Sequence, residues 1–195
     1  MYQESDAFAA DNARNDLLIL VDGLGRAVGT ATKMDAHVQG LLHRAFSVVL
    51  TTESDEGTLL LLSRRAAGKY HSAGLWANSC CSHPRAGEKL ADAVPRRLVE
   101  ELGCQAQGLR EIGAFVYRAE FENGLAEYEY DHIFLGTASG EIKPDPAEVS
   151  ETRWVSADEL AAELKDHPER FAAWAYIVLS RTLRELVPPT AETVV

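Results

Sequence analysis

Cysteine is scarce: the 195-residue chain holds three, and two of them, Cys80 and Cys81, are neighbours that could close only a strained bridge. A disulfide framework is therefore excluded as the source of stability, and a reducing compartment, the cytoplasm, is expected. Positive charge is also in short supply, with 19 lysines and arginines against 30 acidic residues and a formal net charge of -11. A broad phosphate-binding surface needs the opposite sign, so no nucleic-acid partner is expected. No apolar run is long enough to span a bilayer, and the acidic opening MYQESDAFAADNARND has neither a basic n-region nor an apolar h-region. The expectation is a soluble, unsecreted protein without a membrane partner. Repeats and low-complexity tracts are missing too.

What is present suffices for a core. With 46% hydrophobic residues, a chain of this length is expected to form one domain over 17–187, with a flexible segment at 1–16 and a tail at 188–195. DLLILVDG reads as a strand closed by the turn DGLG, with AVGTATK as its hairpin partner. AFSVVLTT and GTLLLLSRR form a second strand pair around ESDEG, and IGAFVYRAEF and AEYEYDHIFLG a third around ENG. A helical stretch ends at ELG, where Gly103 suits a C-cap. SADELAAELKDH opens with a capping box, Ser156 and Glu159, and PERFAAWAYIVLSRTLREL reads as one long helix with Pro168 at its start. Strands lead and helices close the chain, which predicts a mixed α/β fold. No apolar stripe is surplus to that core, so the oligomeric state stays open.

An anionic small molecule could still be met by local cations: Lys33, the tandem Arg64 and Arg65, Lys69, and the tandem Arg96 and Arg97. Any one of these is more often an ordinary solvated charge. Polar groups that could converge include His37 and His43 in DAHVQGLLH, His83 two residues after Cys81, and Glu127 and Glu129 in AEYEYD. Alternation places the two glutamates on one face of a strand. An exposed polar edge would account for them equally well, and a hydrogen-bonded histidine for each imidazole.

A second pattern lies in SHPRAGEKLADAVPRRLVEELGC. Ser82, Glu88, Arg96, Glu100, Glu101 and Gly103 stand at the spacing of the Nudix box, with Ser82 in place of its glycine and Arg97 in place of its first helix glutamate. The segments WANSCCSHP, AHVQGLLHRAFS, EYE and FAAW then resemble the type 1 isopentenyl-diphosphate isomerases of the Nudix superfamily, in the right order and over about Leu17 to Leu186. The loop between His37 and His43 is one residue shorter than that family leads one to expect. The resemblance implies a Nudix-type α/β/α sandwich with a mixed sheet. It implies one Zn or Mn ion on His37, His43, His83, Glu127 and Glu129, a donor set that suits those metals, and a Mg ion on Glu101 that bridges to a small-molecule diphosphate substrate. Arg65, Lys69, Lys33 and Arg96 or Arg97 would complete the anion pocket.

The implied reaction moves a double bond between isopentenyl and dimethylallyl diphosphate through a tertiary carbocation, in isoprenoid biosynthesis. Glu129, assisted by Tyr117, would protonate and Cys81 deprotonate; in the reverse direction the roles exchange. Trp174 would face the cation, worth ~2 kcal/mol when desolvated, though a core tryptophan is the simpler reading of that residue alone. Cys80 would pack. Two other functions compete: a Nudix hydrolase of a nucleoside diphosphate derivative, disfavoured by Arg97, and a structural zinc site on Cys81 and His83, disfavoured by the ligand spacing. Pro95 falls inside the box helix, so a start near Asp92 or a kink is expected there.

Overall fold

Alternating and continuous apolar runs set the strands, and turn residues set their ends. The computed structural model describes residues 17–55, 57–69 and 71–186. The expected flexible segment 1–16 and tail 188–195 lie outside the described residues. The elements are β1 (Leu17–Val21), β2 (Ala27–Thr32), α1 (Lys33–Gln39), β3 (His43–Ser54), β4 (Gly57–Arg65), β5 (Trp76–Ala77), β6 (Cys80–Ser82), α2 (Leu90–Leu102), β7 (Gln105–Glu120), β8 (Ala126–Ser139), β9 (Val149–Ser156), α3 (Ala157–Asp166) and α4 (Ala173–Leu186). No helix among the described residues is long and apolar enough to cross a membrane. The chain divides into two compact units, one of residues up to Phe46 with Cys81–Arg96 and Ala114–His132, the other of Ser47–Cys80, Arg97–Gly113 and Ile133 onward.

In the first unit β1 and β2 form the expected antiparallel hairpin, Leu17 opposite Thr32 and Leu20 opposite Gly29. Asp22 closes its turn by accepting from the Leu24 and Arg26 amides at 2.9 and 3.0 Å. Gly25 has φ +75°, and a side chain there would meet the Tyr130 ring at 2.9 Å. The short helix α1, read from sequence only as a loop, starts at Thr32, whose hydroxyl accepts from the Asp35 amide, and stops at left-handed Gly40. Two turns are too few for an apolar period to show. A second hairpin joins β7 to β8, where the Phe121 amide donates to Leu125.

Helix α2 begins at Leu90 and contains Pro95, two residues earlier than the predicted start near Asp92. Pro95 removes the amide that would bond to the Ala91 carbonyl, and both residues are exposed. Water can serve that carbonyl, so the helix tolerates the proline.

In the second unit β4 pairs antiparallel with β3, β5 and β9. Covered on both faces, it reads as an unbroken apolar run, and Leu60, Leu61 and Leu62 are fully buried. Helix α3 carries the predicted capping box of Ser156 and Glu159. The long C-terminal helix predicted from Pro168 is instead a 3-10 turn at Pro168–Arg170 followed by α4 from Ala173. Phe171 is extended and buried beside Trp76, and the Ala172 amide donates to the Trp76 carbonyl at 2.9 Å. Burying that ring and making the bridge override the helical pattern.

Candidate metal and diphosphate sites

Five side chains from four short segments meet in the first unit. His37 comes from α1, His43 from the first residue of β3, His83 from just past β6, and Glu127 and Glu129 from alternate positions of β8. His37, His43, Glu127 and Glu129 are buried and His83 half-buried. The alternation of the two glutamates is thus an inward face, not the exposed edge that the pattern alone also allowed. His37 Nε2 lies 3.3 Å from Glu127 Oε2, His83 Nε2 2.7 Å from Glu129 Oε1, and His43 Nε2 3.8 and 3.6 Å from the same two carboxylate oxygens. One donor atom each from His37, His43, His83 and Glu127 falls within 4.8 Å of the others.

His43 Nδ1 donates to the Leu41 carbonyl at 2.8 Å, which orients the ring with its Nε2 toward the cluster. That Nε2 stands 3.2 Å from His83 Nε2. Burial pushes His83 down to about 4 despite its contact with Glu129, so the ring is neutral near pH 7. Burial pulls the same way on His43, but the Glu129 carboxylate outweighs it and raises that ring. Three imidazole nitrogens and two carboxylates thus converge, a donor set that fits a transition metal bound in place of the ring protons.

Tyr117 completes the group. Its hydroxyl donates to Glu129 Oε2 at 2.6 Å. Burial and the Glu129 charge hold the phenol well above its ordinary value, so it keeps its proton. Glu129 itself is pushed up by burial and by Glu127, but the hydrogen bonds from His43 and His83 prevail and its carboxyl is lowered. Asp131, the next residue on that face of β8, is also buried. The same alternation that picks out Glu127 and Glu129 could have found it.

Cys81 is half-buried at the centre of β6, whereas Cys80 is buried, as expected of a packing residue. The loop leading in is pinned: Asn78 Nδ2 donates to the Val48 and Cys80 carbonyls, and the Ser79 hydroxyl to the Leu61 carbonyl. Lys33 opens α1 close enough for its charge to bear on His83. Arg96 grips Glu88 through two bonds of 2.7 Å and holds its carboxyl low. That fork explains the fixed spacing between the two residues, since the loop before α2 is tied to the helix.

The remaining candidates lie in the second unit. Glu101 is buried on α2; burial raises its carboxyl, and Arg97 works against that. Arg97 reaches Glu101 and, at 2.7 Å, Glu100. Lys69 pairs with Glu148, a residue the sequence reading passed over. Arg65 donates to the His71 carbonyl at 3.2 Å, and its guanidinium carbon stands 5.1 Å from the centre of the buried Trp174 ring. His71 meets that ring edge-on at 5.8 Å. The buried Trp174 ring thus has a guanidinium over one face.

Residues 41–175 match the NUDIX domain family, so the chain belongs to the Nudix superfamily. Two solved structures carry the same fold: DR0079 from Deinococcus radiodurans, 18% identical with a TM-score of 0.66 over 85% of this chain and 98% of that one, and a MutT NUDIX hydrolase from Burkholderia pseudomallei, 20% identical with a TM-score of 0.57 over 72% and 97%. Sequence relatives are nearer. The chain is 48% identical to the isopentenyl-diphosphate Delta-isomerase of Photobacterium profundum over 87% of its own length and 95% of the relative's. It is likewise 48% identical to that of Burkholderia multivorans, over 84% and 91%. Within the Nudix superfamily it is a member of the isopentenyl-diphosphate Delta-isomerase family.

Proposed function

We propose that the chain interconverts isopentenyl and dimethylallyl diphosphate in the cytoplasm, as a step of isoprenoid biosynthesis. The observation that carries this reading is a buried carboxylate with a proton donor on one oxygen and imidazole on the other: Glu129, with Tyr117 at 2.6 Å and His83 at 2.7 Å. Relatives 48% identical over most of the chain bear the isopentenyl-diphosphate Delta-isomerase name, which favours this reading over hydrolysis.

His37, His43, His83, Glu127 and Glu129 would hold a Zn or Mn ion, and Glu101 a Mg ion that arrives with the diphosphate. A metal ion held by these residues would supply positive charge that makes a proton on Glu129 more acidic. Glu129 gives that proton to the terminal alkene carbon, and Tyr117 hydrogen-bonds the carboxylate as its charge returns. The π electron pair becomes the new C–H bond and leaves a tertiary cation. Cys81, as thiolate, takes a proton from the carbon on the other side, and that C–H pair becomes the new double bond. Trp174 supplies the aromatic face that steadies the cation. Lys33, Arg65, Lys69 and Arg97 bind the diphosphate, while Arg96 works from its fork on Glu88.

The test is product chemistry. Wild-type protein given isopentenyl diphosphate and Mg should form an acid-labile allylic diphosphate, and Cys81→Ala should lose at least about a thousandfold in turnover, the scale of a deleted acid or base. Near-normal turnover in Cys81→Ala would remove the thiol from the mechanism.

A further inference from the structure

Two cations assigned above to the substrate are already held by carboxylate. Lys69 Nζ rests on Glu148 Oε2, while Arg97 Nη2 lies on Glu101 with Glu148 Oε1 3.7 Å from that same nitrogen. Glu148 therefore turns one oxygen to each cation, as a diphosphate would. Its place is fixed by backbone bonds. The Ala66 amide donates to the Glu148 carbonyl and the Lys69 amide to the Ala66 carbonyl, at 3.0 and 3.2 Å. The Glu148 amide donates to Asp145, whose own amide donates to the Glu101 carbonyl at 2.9 Å. Gly103, with φ +62°, admits this segment, because a side chain there would stand 2.7 Å from the Lys143 carbonyl oxygen. The segment is thus docked to the end of α2 that carries Glu101 and to the turn that carries Lys69.

Charge accounts for the rest. Lys69 and Arg97 face three carboxylates, those of Glu100, Glu101 and Glu148, and Glu101 is buried. A diphosphate carries more charge than one carboxylate and would draw both cations to itself. Glu101, buried, and the partly exposed Glu148 beside it would then lose that counter-charge, and a divalent ion is the natural replacement.

We propose that Glu148 is a positioning residue that holds Lys69 and Arg97 in the stead of the diphosphate and, on releasing them, couples diphosphate binding to magnesium. This rests on the reading of Lys69 and Arg97 as diphosphate cations and of Glu101 as the Mg ligand. The coupling is reciprocal: magnesium tightens the diphosphate by the factor that the diphosphate tightens magnesium.

Calorimetry with inorganic pyrophosphate, with and without Mg, tests it on the full chain. Glu148→Gln should bind pyrophosphate without Mg more tightly, by about tenfold, and lose about the same factor of the enhancement by Mg. Glu141→Gln makes the same change of net charge at an exposed position and should match wild type in both measurements. A Glu148→Gln protein that binds metal-free pyrophosphate more weakly, or keeps the full wild-type enhancement, overturns the proposal. So does a Glu141→Gln protein that behaves like Glu148→Gln. A wild-type protein that binds no pyrophosphate under either condition overturns the anion-pocket reading itself. A residue that merely supported the fold would move affinity in the opposite direction.

Discussion

Tyr117 and His83 grip the two oxygens of one carboxylate, and removing them should have different consequences. Tyr117→Phe deletes a donor to Glu129 but no metal ligand. Its turnover should fall by about tenfold to a hundredfold, within the range of one lost hydrogen bond to a charged group, with tightly held metal unchanged. His83→Ala deletes a ligand, so metal analysis after purification without chelator should find the tightly held ion lost from that protein and about one per chain in wild type. Equal metal content in the two would mean that His83 is no ligand. At this scale the sequence was informative where a motif fixed the spacing. The His37, His43 and His83 set and the Glu127 and Glu129 pair could be named from the resemblance, but burial could not. Alternation alone does not say which face of a strand looks inward, and Asp131 was passed over although it extends the same face. Glu148 had no signal at all, because its partner Lys69 is far along the chain.

Among the elements, α2 and the loop before it show how the box spacing becomes structure. Glu88 accepts from the Arg85 amide and from both ends of the Arg96 guanidinium, which ties the loop to the helix. Its carboxyl is held low in the folded protein, chiefly by Arg96. A lowered folded value means that the stabilisation is complete above the ordinary carboxylate range and is lost as pH falls through the lowered value. Glu88→Gln should therefore cost about 1 kcal/mol at pH 7, the scale of a well-formed ion pair near the surface. In urea titrations that difference should shrink steadily below about pH 4. A cost that stays constant with pH would assign it to packing. The strands were legible because period two and turn residues act locally, and so was the capping box of α3. Helix α1 was not, being too short, and the start of α4 was misjudged because the burial of Phe171 beside Trp76 is a tertiary effect that no local pattern contains.

For the molecule as a whole, a net charge of -11 and an anionic substrate are reconciled by placement. Cations are few, and those near the proposed pocket are matched: Lys69 and Arg97 with carboxylates, Arg65 with a carbonyl and an aromatic face. The Nudix fold by itself serves hydrolysis as readily as isomerisation, so the chemistry must be read from where solvent atoms go. Incubation with isopentenyl diphosphate and Mg in heavy water, followed by NMR of carbon-bound deuterium and of phosphorus, separates the two directly. The account predicts deuterium first in the new methyl group of dimethylallyl diphosphate, with the diphosphate intact. Trp174→Leu should slow that exchange by about tenfold or more, since each 1.4 kcal/mol of lost cation stabilisation is a factor of ten. Release of phosphate at a comparable rate, with no deuterium on carbon, would contradict it.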